Sequence, residues 1–270
     1  MAFGLIIIGD EILSGKRSDK HLPKVIELLG ERGLQLAWAE IVGDDPARIT
    51  ALLKRSLAGP DIVFSCGGIG ATPDDHTRQC AAAALGVPLV LHPEGRLLVE
   101  ERIRETAREA GLEPDLDSPD NRQRLRMAEF PQGTPGCRTT LIPNPYNRIP
   151  GFTVHGAGAA HHFVPGFPVM AWPMIAWVLD TCYRDLFHRE ARAERALLVY
   201  GQAEATLTPL MEGLQARYPG IRVFSLPSVG DATTRRHIEL GVKGDPAQVA
   251  PAFEEMCAEL GRMAAEYQSL

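Results

Sequence analysis

Within about the first ninety residues the chain repeats one arrangement three times: an apolar run, a turn rich in glycine and acid, then a segment with helical spacing. The runs are FGLIIIG at residues 3–9, residues 34–42, and residues 61–64 (DIVF). The first, FGLIIIG, is continuous and rich in Ile as expected of a strand buried on both faces, and strands alternating with helices predict a doubly wound, mostly parallel α/β sheet. Helical spacing follows each run. Leu22, Val25, Ile26 and Leu29 make one stripe between residues 18 and 32, and Ile49, Leu52, Leu53 and Leu57 make another after Pro46. Gly33 stands where a left-handed residue ends the first helix, and Pro46 suits the first position of the second.

In such sheets the loops at the carboxyl ends of the strands share one edge, and ligands bind there. Those loops carry Gly9, Asp10 and Glu11, then Asp44 and Asp45, then Gly67, Gly68, Gly70, Thr72, Asp74 and Asp75. Glycines at a strand-to-helix corner let backbone N–H groups approach an anion, and the helix start adds positive partial charge. Acids beside such a corner repel a phosphate unless a divalent cation such as Mg²⁺ bridges them, for which Asp10 and Asp75 are the candidate ligands. The plainer readings stand beside this one. The glycines permit a tight corner, Asp74 and Asp75 suit a helix start near His76, and Asp45 caps the helix at Pro46. Asp10 and Glu11 have no helix expected immediately after them, so capping explains them less well.

Further along, the pattern predicts a charged helix at 94–110, a polar loop leading into a short helix at 113–123, and a strand at 139–142. A hairpin is expected from 152–155 and 161–164, and an apolar helix from Pro168 to about Tyr183, bent at Pro173. His155, His161 and His162 are expected as hairpin partners on a solvated face rather than metal ligands. Trp172, Met174, Ile175, Trp177 and Val178 point to packing or a subunit interface. A charged linker at 188–195 divides a domain at 1–187 from a small α+β module at 193–270. That module is expected as strand, helix, two strands and a helix at 246–267.

Composition narrows the function. Lys and Arg number 28 against 34 Asp and Glu, a net charge of −6 that argues against a broad nucleic-acid face. No apolar run is long enough to span a bilayer, and no secretory signal opens the chain. The five cysteines (Cys66, Cys80, Cys137, Cys182, Cys257) are scattered without a C-x-x-C, as suits free thiols in a reducing cytoplasm. No Ser-His-Asp or Cys-His order suggests covalent catalysis.

Taken together, GDEILSG, VGDDPARI and GGIGATPDDHT resemble the molybdopterin-binding MoaB/Mog-type domain. The variant most similar is that of the competence/damage-inducible protein A N-terminal region and the related half of eukaryotic FAD synthases. IPNPYNRIPGF and VPGFPVM resemble its later motifs, so the likeness covers residues 3–180, and the tail resembles the KH-like domain that follows in those proteins. The resemblance implies a three-layer α/β/α fold and a pocket for a pterin phosphate or an adenine nucleotide. Asp44 and Asp75 match the two aspartates that matter in the molybdopterin enzymes. In the competence-protein branch the same pocket is associated with metal-dependent hydrolysis of ADP-ribose. No C-terminal amidase domain is expected in these 270 residues. The chain departs from the family pattern at Asp19–Lys20–His21, where an asparagine is usual. It departs again at Val169–Met170, where a Ser–Glu pair is usual, and by a local insertion at 156–160. The reading is a cytoplasmic, homo-oligomeric binder of a small phosphorylated heterocycle, or a phosphoryl-transferring or pyrophosphate-cleaving enzyme. A non-catalytic binder that keeps the pocket and a structural oligomer are its rivals.

Overall fold

The computed structural model describes residues 2–133, 139–155, 158, 160–189 and 193–270. The chain divides into two compact units, Met1–Phe187 and His188–Leu270.

In the first unit six strands form one sheet in the order β2-β1-β3-β8-β7-β6. Strands β1 (Phe3–Ile8), β2 (Leu36–Val42), β3 (Ile62–Cys66) and β8 (Ala160–Val164) run parallel. Strands β7 (Gly151–His155) and β6 (Thr139–Ile142) close the far edge antiparallel. Alternate residues of β1 enter separate cores. Phe3, Leu5 and Ile7 pack with helices α2 (His21–Gly30) and α7 (Pro168–Cys182), whereas Ile6 and Ile8 pack with α3 (Pro46–Leu57) and α4 (Thr77–Leu85). This is the expected three-layer α/β/α sandwich. The stripe of α3 is buried throughout; in α2 the inward residue is Leu28, and Ile26 is exposed. Pro173 lies inside α7.

Other expectations are corrected. Asp10–Leu13 forms a one-turn helix, α1, directly after β1, so Asp10 and Glu11 do sit in a helical first turn. Strand β4 (Leu89–Leu91), which pairs with β5 (Glu129–Pro131), was not anticipated. Between them come α5 (Pro93–Glu109), α6 (Pro119–Leu125) and a 3₁₀ turn at Arg126–Ala128. His161 and His162 are fully buried rather than solvated, because β8 lies inside the sheet and both its faces are covered. His162 bonds the Thr153 hydroxyl at 2.8 Å and the Tyr183 hydroxyl at 2.7 Å, and burial depresses its pKa to about 3. Burial likewise takes His161 down to about 4, with the Ser56 carbonyl offsetting only part of the shift. Both are therefore neutral packing groups. The insertion at 156–160 falls largely outside the described residues, as does Cys137; Cys66, Cys80, Cys182 and Cys257 are free thiols.

The second unit is an antiparallel sheet in the order β10-β11-β9-β12 with its own core. It comprises β9 (Ala193–Tyr200), α8 (Glu204–Arg217), β10 (Ile221–Ser228), β11 (His237–Gly244) and α9 (Pro246–Arg262). The last helix stops at Arg262 rather than 267, and the chain returns as a fourth strand, β12 (Glu266–Ser269), along β9.

Candidate functional site

Strands β1 and β2 end side by side, with Ile8 opposite Val42, and the Gly9 N–H donates to the Val42 carbonyl at 3.0 Å. Two residues further on each strand come Asp10 and Asp44, and each carboxylate accepts the other's backbone N–H. The Asp10 N–H donates to Asp44 Oδ2 at 2.8 Å, and the Asp44 N–H donates to Asp10 Oδ1 at 3.2 Å. A Cβ on Gly43 would stand 2.2 Å from Asp10 Oδ1, so the cross-brace needs glycine between strand and acid. Burial raises the Asp44 carboxyl above its ordinary value. The Asp10 N–H opposes that shift, and the charges of Asp10, Glu11 and Asp74 add to it. Asp45 behaves as expected: its side chain accepts the Arg48 N–H at 2.9 Å and caps α3.

The glycine corner follows β3. Gly67 (φ 113°) and Gly68 (φ 66°) both lie in the left-handed region. A Cβ on Gly67 would fall 2.2 Å from the Ile8 carbonyl, and one on Gly68 the same distance from Thr77 Oγ1. The corner is tied down from within the fold. The Gly67 N–H donates to the Val164 carbonyl at 3.1 Å, Thr77 Oγ1 donates to the Gly67 carbonyl at 2.9 Å, and the Thr77 N–H to that of Gly68 at 3.0 Å. Gly67 is thus a spacer, not an open amide donor for a ligand. Thr72 and Asp75 then close a tight turn. Asp75 Oδ2 accepts the Thr72 N–H at 2.8 Å and the Thr72 hydroxyl at 2.5 Å, and a Cβ on Gly70 would sit 2.5 Å from that same oxygen.

Asp74 and Asp75 part company here. Asp74 acts on Asp44, whereas Asp75 lines a separate cavity with Arg78 and Arg126. Asp44 is thus braced to Asp10 and feels the charges of Glu11 and Asp74, whereas Asp75 lines the cavity with Arg78. Helix α4 starts at Thr77, without a side-chain cap from either acid.

Among the described residues no three His, Cys, Asp or Glu side chains could hold a metal ion together. One oxygen each of Asp10, Asp44 and Asp75 is already committed to a backbone N–H. Among the described residues a cation between Asp10 and Asp75 has no preformed cage.

Three residues not singled out as site residues from the sequence support this edge. His21 Nε2 bonds the Gly166 carbonyl at 2.9 Å, and a Cβ on Gly166 would lie 3.4 Å from Gly67 Cα, so α2 holds the β8–α7 loop against the corner. Asp19 caps that helix through the N–H groups of His21 (2.8 Å) and Leu22 (2.9 Å), which accounts physically for the departure at Asp19–His21. Arg78 and Arg126 are the other two. Arg78 directly follows the DDHT run, and that adjacency was the available signal. Where a Ser–Glu pair is usual, Val169 is exposed and Met170 packs against the core, its sulfur 3.6 Å from Asn147 Nδ2.

An α/β/α domain whose acidic and glycine loops gather at the carboxyl edge of a parallel sheet is a small-ligand-binding domain of the doubly wound class. Residues 4–184 match the family described as a probable molybdopterin binding domain, and the chain belongs to that family. It is similar to "CinA-like protein" of Anaeromyxobacter sp. (strain Fw109-5), 30% identical over 89% of this chain and 58% of that one. The corresponding protein of Anaeromyxobacter dehalogenans (strain 2CP-1) is 33% identical over 91% of this chain and 60% of its own length. The chain thus spans about 60% of the curated relatives it matches. Among solved structures it is similar to the protein CinA, of unknown function, from Thermoplasma acidophilum. That likeness has a TM-score of 0.55 at 26% identity and covers 67% of this chain and 98% of the other.

Proposed function

We propose that the first unit binds molybdopterin or a related phosphorylated heterocycle, an adenine nucleotide included, at the edge formed by residues 9–11, 43–44 and 67–75. The observation that carries this reading is the Asp10–Asp44 cross-brace. It spends one oxygen of each carboxylate on the backbone and leaves the other to accept donors from a ligand. Acids so placed favour a donor-rich heterocycle edge or hydroxyls and disfavour phosphate, so the anionic end of the ligand lies away from them. The family match over residues 4–184 supports the pterin class.

Phosphoryl or pyrophosphate chemistry is the second reading, and Asp44 favours it. Its raised carboxyl is the group best suited to take a proton from an attacking hydroxyl or water. The apolar Val169 and Met170 weigh toward binding without turnover. Homo-oligomerisation belongs to the same proposal, with Trp177, 40% exposed on α7, as the surface that supports it.

Equilibrium dialysis against molybdopterin, AMP and ADP-ribose tests binding, with phosphate release followed in parallel. Asp44→Asn is expected to weaken binding about tenfold, as for a hydrogen bond to a charged group. Asp45→Asn, a helix cap, should bind like wild type. Equal affinity of Asp44→Asn and wild type, or no binding of any of the three, ends the proposal.

A further inference from the structure

Beside the same loop lies a cavity of about 280 Å³, walled in part by Thr72, Asp75, His76, Arg78, Gln123 and Arg126 but by none of Asp10, Glu11, Asp44 and Asp74. Ligand pockets run to about 300–1,000 Å³, so this one suits a single group of a ligand. Its most informative wall is Arg78, 3% exposed. The guanidinium donates to the carbonyls of Arg126, Gly70 (2.6 Å) and, more weakly, Glu129 (3.4 Å), while its Nε has no partner. Three neutral carbonyls fix the fork but supply no negative charge. Among the described residues no carboxylate comes within ion-pair distance of it; Asp75 and Glu129 act on it only from further off. A buried cation without a counter-charge is costly, and an anion brought by a ligand relieves the cost.

The surroundings agree. Arg126 is 53% exposed at its side chain, donating to Gln123 Oε1 at 3.3 Å and lying 3.8 Å from Glu129, contacts that an anion can displace. Helix α4, nine residues long, begins at this wall, and its first turn adds positive partial charge. The acid in the wall, Asp75, has turned Oδ2 back onto Thr72.

We propose that the Arg78–Arg126 cavity is an anion subsite that takes a phosphoryl group, the charged end of the ligand whose donor-rich end faces Asp10 and Asp44. The proposal rests on the reading above for the identity of the whole ligand, but not for the anion itself. The probes are therefore inorganic phosphate and pyrophosphate alone, titrated calorimetrically into the full chain, with adenosine as the phosphate-free arm. Saturable binding of one of the two anions per chain is expected, weakening with salt. Arg126→Gln should weaken it about tenfold through loss of one charge-assisted contact. Arg78→Lys, checked for folding by circular dichroism, should also weaken it because the planar fork is lost. Arg55→Gln, a surface arginine paired with Glu40, should bind as wild type does.

Absence of saturable binding by both anions overturns the subsite, as does undiminished binding in Arg126→Gln. If Arg78→Lys does not fold, Arg126→Gln alone decides. Anion binding without any heterocycle binding removes the earlier reading and leaves this one standing; the reverse removes this one.

Discussion

The two sides of the glycine loop carry opposite charge problems. On one side Asp10 and Asp44 brace each other within reach of the charges of Glu11 and Asp74, and backbone N–H groups hold Asp10 and Asp44 in place while burial and repulsion raise the Asp44 carboxyl. On the other, Arg78 is buried with carbonyls and no ion pair, and burial pushes its guanidinium below the ordinary value. Neighbouring residues, Asp74 and Asp75, serve different sides. The loop therefore works as a partition between two charge environments: among the described residues no carboxylate pairs with Arg78 and no cation pairs with Asp44. An ion pair across the loop would have been more stable and useless for binding.

The harshest way to break this comparison is to move the partition. Gly67 holds φ 113° with the Ile8 carbonyl where a Cβ would go, and a strand carbonyl cannot step aside. Gly67→Ala should cost about 3 kcal/mol or more from strain and overpacking, read by urea denaturation. A loss under about 1 kcal/mol would mean the corner can reshape and the two sides are not fixed. Next in size is Arg78→Met. It removes the buried charge but leaves the Gly70 and Arg126 carbonyls short of a donor, and the second effect should win, for a loss of about 2 kcal/mol. If the variant is instead as stable as wild type, the charge was as costly as its hydrogen bonds were favourable, which sharpens the case that only a ligand explains its retention.

The layers of the fold were legible because β1, β3 and the stripe of α3 carry apolar residues at the periods their elements demand. Strand β12 was not: Glu266, Tyr267, Gln268 and Ser269 are all exposed and join β9 through the backbone, which leaves no trace in apolar periodicity. His161 and His162 misled for a related reason. Their polarity suggests a solvated hairpin, but the depth of β8 is set by β3 on one side and β7 on the other, a long-range fact. At the site, residue types at a strand-to-helix corner drew attention to the loops after β1, β2 and β3. They could not say that Asp74 and Asp75 would diverge, because a three-glycine corner has no period from which to read a side chain's direction. Arg78 escaped notice because a buried arginine in a helix's first turn looks in sequence like an exposed one.

The smallest effect tests the acid side alone. Asp44→Asn keeps an oxygen to accept the Asp10 N–H but removes a charge that burial, Asp10, Glu11 and Asp74 all oppose. A carboxyl raised in the folded state favours folding fully while protonated, below its unfolded value, and that contribution is lost as pH rises through the folded value. At neutral pH the wild type thus carries a penalty that the variant lacks. Because Asp44 is only half-buried, screening keeps the gain under about 1 kcal/mol. The variant should therefore be slightly the more stable at pH 7, and its advantage should vanish on acidification toward the ordinary aspartate value of 3.8. Paired urea titrations at the two pH values measure that difference, and the other carboxylates, common to both proteins, cancel. A difference that stays constant with pH would show that Asp44 is not electrostatically crowded. The acid side of the loop would then be a structural brace with no charge of its own to offer a ligand.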